Sequence, residues 1–378
     1  VELQLTASHG IITLNTDTGI TIIDGADADT TMTLLGNVIN LNNAIDGLSY
    51  KPDANFNGAA QLQVTIDDLG NAGSGVAESV TKTVTITVNA INDGPSITVP
   101  VAQTIDEDTP IAFSVANSTS LIVVDTDVGE GTGDLQLSLS VNFGTLTLAS
   151  TDGLNITAGE DTSDSITFTG IPDKINSALE GLVYTPNPNI NDDDTLTLSV
   201  SDLGDTGTGG ELNSSSTVAI TINAINDAPI NSLPATQSTR EDQTLTLSTA
   251  NSNLFSISDD SPEGTTALEV QLSVDNGTLT LASTANLTIT NGSDASAGFT
   301  LVGQLPDVNT ALDGLVYTPS ADYFGSDTLT VSTSDNGGTG SGGPLTKTDT
   351  LSIIVQPVND APVNTLPSAQ NTNEDTSL

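Results

Sequence analysis

The 378-residue sequence carries 48 acidic side chains against five Lys or Arg, a formal net charge of −43, which makes nucleic acid and anionic lipid poor partners. It has no Cys, no Trp, one Met and one His, so disulfides, thiol catalysis, zinc cages and His-based proton relays are not expected. No run of about 18 apolar residues occurs, and membrane insertion is therefore not predicted.

The sequence repeats itself with steps of 134 and 133 residues. Ile91-Asn92-Asp93-Gly94-Pro95 returns in near-identical form at 225–229 and at 358–362. A unit of this length suits an independent domain with its own core. The repeat frame predicts an N-terminally truncated repeat at 1–92, complete repeats at 93–226 and 227–359, and the start of a fourth repeat at 360–378. Because the frame begins and stops within a repeat, we interpret the chain as part of a longer repeat protein.

Within each repeat, apolar residues alternate with Thr and Ser, which is typical of half-buried antiparallel strands. One short helical segment per repeat ends at a Gly. The predicted elements in chain order are a helix ending at Gly47, a strand through Val84, Ile86 and Val88, strands at 111–115, 135–141, 145–149 and 165–169, a helix at 172–180, strands at 196–200 and 217–223, a helix ending at Gly314 and a strand through Leu351, Ile353 and Val355. This pattern predicts an all-β fold with one β-sandwich per repeat.

Short acidic side chains gather where one repeat meets the next. Of the 48 acids 37 are Asp, a residue that favours turns and oxygen ligation of hard cations. Asn-Asp forms each linker, further Asp residues precede a strand at 125–127 and at 259–260, and Asp202 and Asp335 each close a strand. Because the loops of a sandwich gather at its two ends, these side chains are expected to converge on the linkers. They predict a cation site, with solvated turn residues as the alternative.

Together these motifs resemble the cadherin-like tandem repeats of large bacterial surface adhesins. The resemblance rests on the strings at 199–204, 218–222 and 225–229, and on Leu-Asp-Gly-Leu-Val-Tyr at 312–317 followed by Asp-Tyr-Phe-Gly at 322–325. It implies tandem cadherin-like, Greek-key, Ig-like β-sandwich domains arranged as an elongated rod. It also implies Ca²⁺ at each junction, held by an upstream Glu, by the linker and by downstream Asp residues.

Carried over to this sequence, the resemblance assigns ligands to three junctions. The first would use Asn92, Asp93, Asp125, Asp127 and Asp202; the second Glu107, Asn226, Asp227, Asp259, Asp260 and Asp335; the third Glu241, Asn359 and Asp360. The linker departs from the family because Ala90, Ala224 or Pro357 stands where cadherins have an Asp, and the acidic mid-domain motif is missing. One or two ions per junction are therefore expected rather than three. The acids before each helix-ending Gly (Asp46, Glu180 and Asp313) are either substitute ligands or surface acids.

The predicted function is a calcium-rigidified extracellular spacer or fibre segment of a cell-surface adhesin or filament. A structural subunit of a calcium-dependent self-assembling filament is the first alternative, and an accessory repeat region of a carbohydrate-active enzyme is the second. Catalysis is not expected, because the acids recur in every repeat and few aromatics are present to stack on a sugar. The expected partners are calcium ions and neighbouring repeats, with like chains or an unknown surface ligand as further candidates.

Overall fold

The computed structural model describes residues 1–70, 74–129, 133–204, 207–259, 267–338 and 340–378. Strands dominate these residues, and the described part of the chain has three α-helices of eight residues each. None of these helices is long and apolar enough to cross a membrane. The chain divides into two compact units, Val1–Ile222 and Asn223–Leu378. The boundaries of the four predicted repeats stay predictions.

The first repeat of the first unit forms one large antiparallel sheet and a strand pair. Its elements are β1 Glu2–Ala7, β2 Gly10–Thr13, β3 Ile20–Gly25, β4 Thr31–Gly36, α1 Val38–Ile45, β5 Ser49–Pro52, β6 Gly58–Asp67 and β7 Ser79–Val88. The sheet has the order β3-β4-β1-β6-β7, and β2 pairs with β5. The two layers enclose a core that includes Leu5, Ile12, Met32 and Leu34.

The second repeat forms a fuller sandwich. Its elements are β8 Ser96–Thr98, β9 Gln103–Asp106, β10 Ile111–Phe113, β11 Ile122–Val124, β12 Leu135–Ser140, β13 Gly144–Thr147, β14 Asn155–Gly159, β15 Ser165–Gly170, α2 Pro172–Leu179, β16 Leu182–Pro186, β17 Asp194–Ser201 and β18 Asn213–Asn223. A six-stranded sheet of order β14-β15-β12-β17-β18-β9 faces a three-stranded sheet β10-β16-β13, and β8 pairs with β11. The inward residues of these strands build one buried apolar core.

The second unit repeats this arrangement. Its elements are β19 Ile230–Ser232, β20 Gln237–Arg240, β21 Leu245–Leu247, a 3₁₀ turn Thr249–Asn251, β22 Ser256–Ser258, β23 Leu268–Ser273, β24 Gly277–Thr280, β25 Thr288–Gly292, β26 Gly298–Gly303, α3 Leu305–Leu312, β27 Leu315–Pro319, β28 Gly325–Ser334 and β29 Thr346–Gln356. The large sheet has the order β20-β29-β28-β23-β26-β25. The predicted all-β class, with a sandwich and one short helix per repeat, is confirmed.

The helix of each complete repeat holds a neighbouring edge strand through one Asn. Asn176 of α2 accepts a hydrogen bond from Val123 N (2.8 Å) and donates one to Val123 O (2.8 Å), as a strand residue would. Asn309 of α3 makes the same two hydrogen bonds with the main chain of Ile257. The side chain thereby satisfies both main-chain groups of an edge residue.

The Tyr that recurs at 184 and 317 is fully buried in both complete repeats. Tyr184 donates its hydroxyl proton to Asp194 Oδ2 (2.9 Å), and Asp194 also accepts hydrogen bonds from Asn142 N and Phe143 N (2.9 Å each). Tyr and Asp together fix the hairpin turn between β12 and β13. Burial alone would raise the pKa of Asp194, but these donors outweigh it and lower that pKa.

Candidate metal centre at the first linker

The first linker, residues 90–93, is hydrogen-bonded to the glycine-rich loop at residues 207–210, which follows β17 in the same unit. Asn92 N donates to Thr208 O (3.0 Å) and Thr208 N donates to Ala90 O (3.1 Å), so linker and loop form a short parallel bridge. The Asn92 amide group also donates to Asp202 Oδ2 (2.7 Å) and to Gly210 O (2.8 Å). The linker therefore arrives beside the carboxylate that ends β17.

Three buried carboxylates gather at this point. Asp125, Asp127 and Asp202 have exposed fractions of 8%, 2% and 1%. Asp127 Oδ2 accepts a hydrogen bond from Asp93 N of the linker, and Asp125 Oδ1 accepts one from Asp127 N (2.9 Å). All five ligands predicted for the first junction (Asn92, Asp93, Asp125, Asp127 and Asp202) thus belong to one local network.

One oxygen of this network has no hydrogen-bond partner. Asp125 Oδ2 is buried, and no donor of the described protein reaches it. A buried carboxylate oxygen without a partner is costly, because it has lost water and gained nothing in exchange. Such an orphan atom is expected where the missing partner is a ligand.

The electrostatics of the network depend on how many donors each carboxylate has. Burial raises the pKa of Asp125, and the charges of Asp127, Asp202 and Asp93 raise it further, against the opposing hydrogen bond from Asp127 N. Burial would also raise the pKa of Asp202, but hydrogen bonds from Leu212 N, the Asn92 amide and Gly204 N lower it overall. Asp125 is therefore the carboxylate that most needs a positive neighbour.

The donor chemistry fits a hard cation, although no ready-made cage is present. Among the described residues, no three Asp, Glu or His side chains already converge closely enough to hold a metal ion. The carboxylates of Asp127 and Asp202 are engaged by N–H groups instead. Carboxylate and amide oxygens are the ligands that Ca²⁺ takes, and Ca²⁺ tolerates irregular geometry.

A cleft of about 290 Å³ lies beside the same linker. Its walls combine the loop that follows β5, the linker itself and Asp127, and the lining includes Asp53, Asn55, Phe56, Asn89, Asp93 and Asp127. The cleft places one further carboxylate, that of Asp53, next to the network. Sequence reasoning missed Asp53.

The second unit begins with the same linker arrangement. Asn226 N donates to Ser341 O (2.9 Å), and the Asn226 amide group donates to Asp335 Oδ2 (2.8 Å) and to Gly343 O (3.0 Å). Asp335 is 1% exposed, whereas Asp227 and Asp259 are half-buried. Asp260 lies outside the described residues. The structure therefore brings Asn226 and Asp335 together in the way that it brings Asn92 and Asp202 together.

The acids assigned to the third junction lie in a different setting. Glu241 is buried and accepts a hydrogen bond from Val358 N, so it holds the chain that leaves β29. Asp360 is exposed, and partial desolvation followed by the charges of Asp242, Glu241 and Asp322 raises its pKa. Asn359 is also exposed. Asp242 and Asp322 were missed, although Asp242 directly follows the predicted ligand Glu241 and Asp322 begins the Asp-Tyr-Phe-Gly string.

Glu107, the remaining predicted ligand, lies in the first unit and is 5% exposed.

Two of the acids that precede a helix-ending Gly have hydrogen-bond partners within their own repeat. Glu180 accepts hydrogen bonds from Val115 N (3.1 Å to each oxygen), and Asp313 accepts from Thr249 N and Oγ1 (2.9 Å each). Glu180 and Asp313 therefore anchor the loop that follows the third strand of each complete repeat. This arrangement favours the interpretation as surface acids.

Comparison with known proteins gives one family match and several structural likenesses. Residues 245–342 match the model of the family described as Protein GAMETE EXPRESSED 2 domain. No curated protein matches the sequence.

The chain is similar to human CDH23 EC21-23 at 13% identity and a TM-score of 0.34, over 93% of this chain and 88% of the other. It is similar to mouse Protocadherin-24 EC1-3 at 14% identity and a TM-score of 0.30, over 92% and 91%. It is also similar to an endo-fucoidan hydrolase of glycoside hydrolase family 107 at 16% identity and a TM-score of 0.21, over 94% and 39%.

Proposed function

We propose that this chain is a calcium-stiffened extracellular spacer segment of an adhesin or surface filament, and that its tandem sandwiches transmit force without catalysing a reaction. The observation that carries the proposal is the buried Oδ2 of Asp125, which has no hydrogen-bond partner and lies among three further carboxylates at a linker. A cation supplies both the missing partner and the missing positive charge.

The ligands at the first junction come from three segments. Asp125 and Asp127 belong to the loop after β11, Asp202 closes β17, and Asp93 belongs to the linker. When bound, Ca²⁺ supplies charge neutralisation and multiple oxygen coordination at this point. The protein's part is to hold the oxygens on separate segments, so that releasing the ion leaves carboxylates that repel one another.

Extracellular calcium is the expected source of the ion. Modules outside cells typically bind calcium with dissociation constants on the order of 10⁻⁴ to 10⁻³ M, which matches a site built from loop carboxylates. A site at a hundredfold excess of free ion stabilises the folded state by about 2.7 kcal/mol. The proposal places the chain at the cell surface or in the extracellular medium, with one or two ions per junction and with neighbouring repeats or like chains as its partners.

Calorimetric titration of the 378-residue protein with CaCl₂ tests the proposal directly. We expect binding in the sub-millimolar to millimolar range that Asp125→Asn weakens and Asp161→Asn leaves unchanged. Asp161 is a matched control, because its Oδ1 accepts from Leu148 N and Thr162 N in an exposed turn away from the linker.

Small-angle scattering on the same samples supplies the mechanical readout. Calcium should extend the particle, chelation should shorten it on average, and calcium but not sodium should restore it. Equal calcium binding by the protein and by Asp125→Asn, or identical scattering profiles with and without chelator, would refute the proposed function.

A further inference from the structure

Each linker is attached to the repeat that follows it by main-chain hydrogen bonds that involve no cation. In the first unit, the chain from Ala90 to Asn92 runs parallel to Thr208 and is bonded to it in both directions. In the second unit, the chain from Ala224 to Asn226 does the same with Ser341: Asn226 N donates to Ser341 O, and Ser341 N donates to Ala224 O (2.9 Å each). The same device is therefore built twice, each time between a linker and the glycine-rich loop of the repeat that follows it.

Two glycines of these loops, Gly207 and Gly340, pack directly against the linker backbone. A Cβ on Gly207 would lie 2.8 Å from Asn92 N and 2.8 Å from the carbonyl carbon of Ile91. A Cβ on Gly340 would lie 2.7 Å from the carbonyl carbon of Ala224. Contacts this short with main-chain atoms cannot be relieved by a side-chain rotation. The loop thus lacks side chains at the two positions where the linker backbone passes.

The attachment includes side-chain contacts of the linker Asn as well. Asn92 donates to Asp202 and to Gly210 O, and Asn226 donates to Asp335 and to Gly343 O. Both aspartates are 1% exposed. A buried amide bonded to a buried carboxylate is costly to separate, because both groups would lose their partners at once.

We infer that each linker is a folded part of the repeat that follows it, clamped by the glycine-rich loop whether or not calcium is bound. Gly207 and Gly340 act as positioning residues, and Asn92 and Asn226 are the residues that they position. The inference is independent of the proposed function. It predicts that chelation leaves the linker docked on the repeat that follows, so that the flexible point of the metal-free chain lies on the preceding side of the linker.

Hydrogen exchange resolved to single amides, on the 378-residue protein in excess EGTA, tests this inference. The amides of Asn92 and Asn226 should remain protected without calcium, because their acceptors are Thr208 O and Ser341 O. Gly207→Ala should accelerate exchange at Asn92 by about tenfold or more, the equivalent of losing one or two net hydrogen bonds.

Gly153→Ala, in the turn before β14 and outside the clamp, is the matched control for Gly207→Ala. Both glycines have left-handed φ angles, +69° and +76°, so both substitutions strain the backbone to a similar degree. A Cβ on Gly153, however, would meet only the flexible side chain of Lys174 (3.0 Å), so the control should leave the exchange rate at Asn92 unchanged. Gly340→Ala (φ +63°) repeats the substitution in the second unit and should accelerate exchange at Asn226.

The outcomes separate this inference from the proposed function. Linker amides that exchange freely in EGTA and become protected only in calcium would overturn the clamp while leaving the calcium proposal standing. Equal acceleration of exchange at Asn92 by Gly207→Ala and Gly153→Ala would also overturn it. Protection in EGTA, together with failure to bind calcium, would support the clamp and refute the proposed function. If Gly207→Ala does not fold, the exchange rates of the unsubstituted protein in EGTA still decide the matter.

Discussion

Replacing Asp125 by Asn should change stability in opposite directions with and without calcium. Without the ion, Asp125 is a buried carboxylate whose Oδ2 has no partner and whose neighbours Asp93, Asp127 and Asp202 are also acidic. The Asn amide removes one negative charge and offers N–H groups to the surrounding carboxylates. Relief of one unsatisfied buried group is worth about 1–3 kcal/mol. The variant should therefore be more stable than the original protein in chelator.

In calcium the order should reverse. The original protein gains about 2.7 kcal/mol from a site at a hundredfold excess of free ion, whereas the variant loses a charged ligand and gains little. Each kcal/mol moves the melting temperature of a domain of this size by a few degrees, on the order of 2–8 °C. Differential scanning calorimetry in EGTA and in millimolar CaCl₂ measures both shifts on the same samples.

The control for this experiment is Asp161→Asn, which removes the same charge at an exposed turn outside the network. It should shift the melting temperature equally in EGTA and in calcium. If Asp125→Asn lowers the melting temperature in EGTA, its carboxylate is not the unsatisfied group that the structure indicates. If both variants respond to calcium like the original protein, Asp125 is not a ligand.

Three further predictions concern the sandwich itself. Tyr184→Phe removes the hydrogen bond to the ionised Asp194 and should lower the free energy of unfolding by about 1.5–3 kcal/mol in urea titrations; an effect below experimental error would contradict this. The pKa of Asp194 is lowered in the folded state, so its ionised carboxylate contributes to the free energy of unfolding above its unfolded pKa of about 3.9. This contribution is lost as the pH falls through the folded pKa. Asp194→Asn should therefore make stability depend less on acid pH in pH-jump unfolding. Asn176→Ala leaves the main-chain N–H and C=O of Val123 without partners and should destabilise the second repeat by about 1–3 kcal/mol. Asn42→Ala, at the equivalent but exposed position of the first repeat, should be nearly neutral. Differential scanning calorimetry measures both effects.

The contact between the glycine-rich loops and the linkers could not be predicted from the sequence. The sequence marks a Gly-rich stretch after Asp202 and after Asp335, but glycine runs are ambiguous between flexible connections and close-packed backbone. Only the tertiary structure shows that Gly207 and Gly340 lie against the linker backbone. In the same way, Asp53 and Asp322 look like ordinary turn acids in the sequence. Nothing local reveals that the loop after β5 lines the cleft at the first linker, or that the charge of Asp322, after β27, acts on Asp360.

The sequence by itself determined the repeat length, the alternating strands, the helix that ends at a Gly and the concentration of short acids at the linkers, because all of these are local or periodic properties of the chain. The assignment of Asn92, Asp93, Asp125, Asp127 and Asp202 as ligands came from the resemblance to cadherin-like repeats, and that role stays a prediction. The tertiary structure alone decided which carboxylate is left without a partner. That outcome depends on how many N–H groups each loop presents to Asp125, Asp127 and Asp202, and those groups come from segments far apart in the chain.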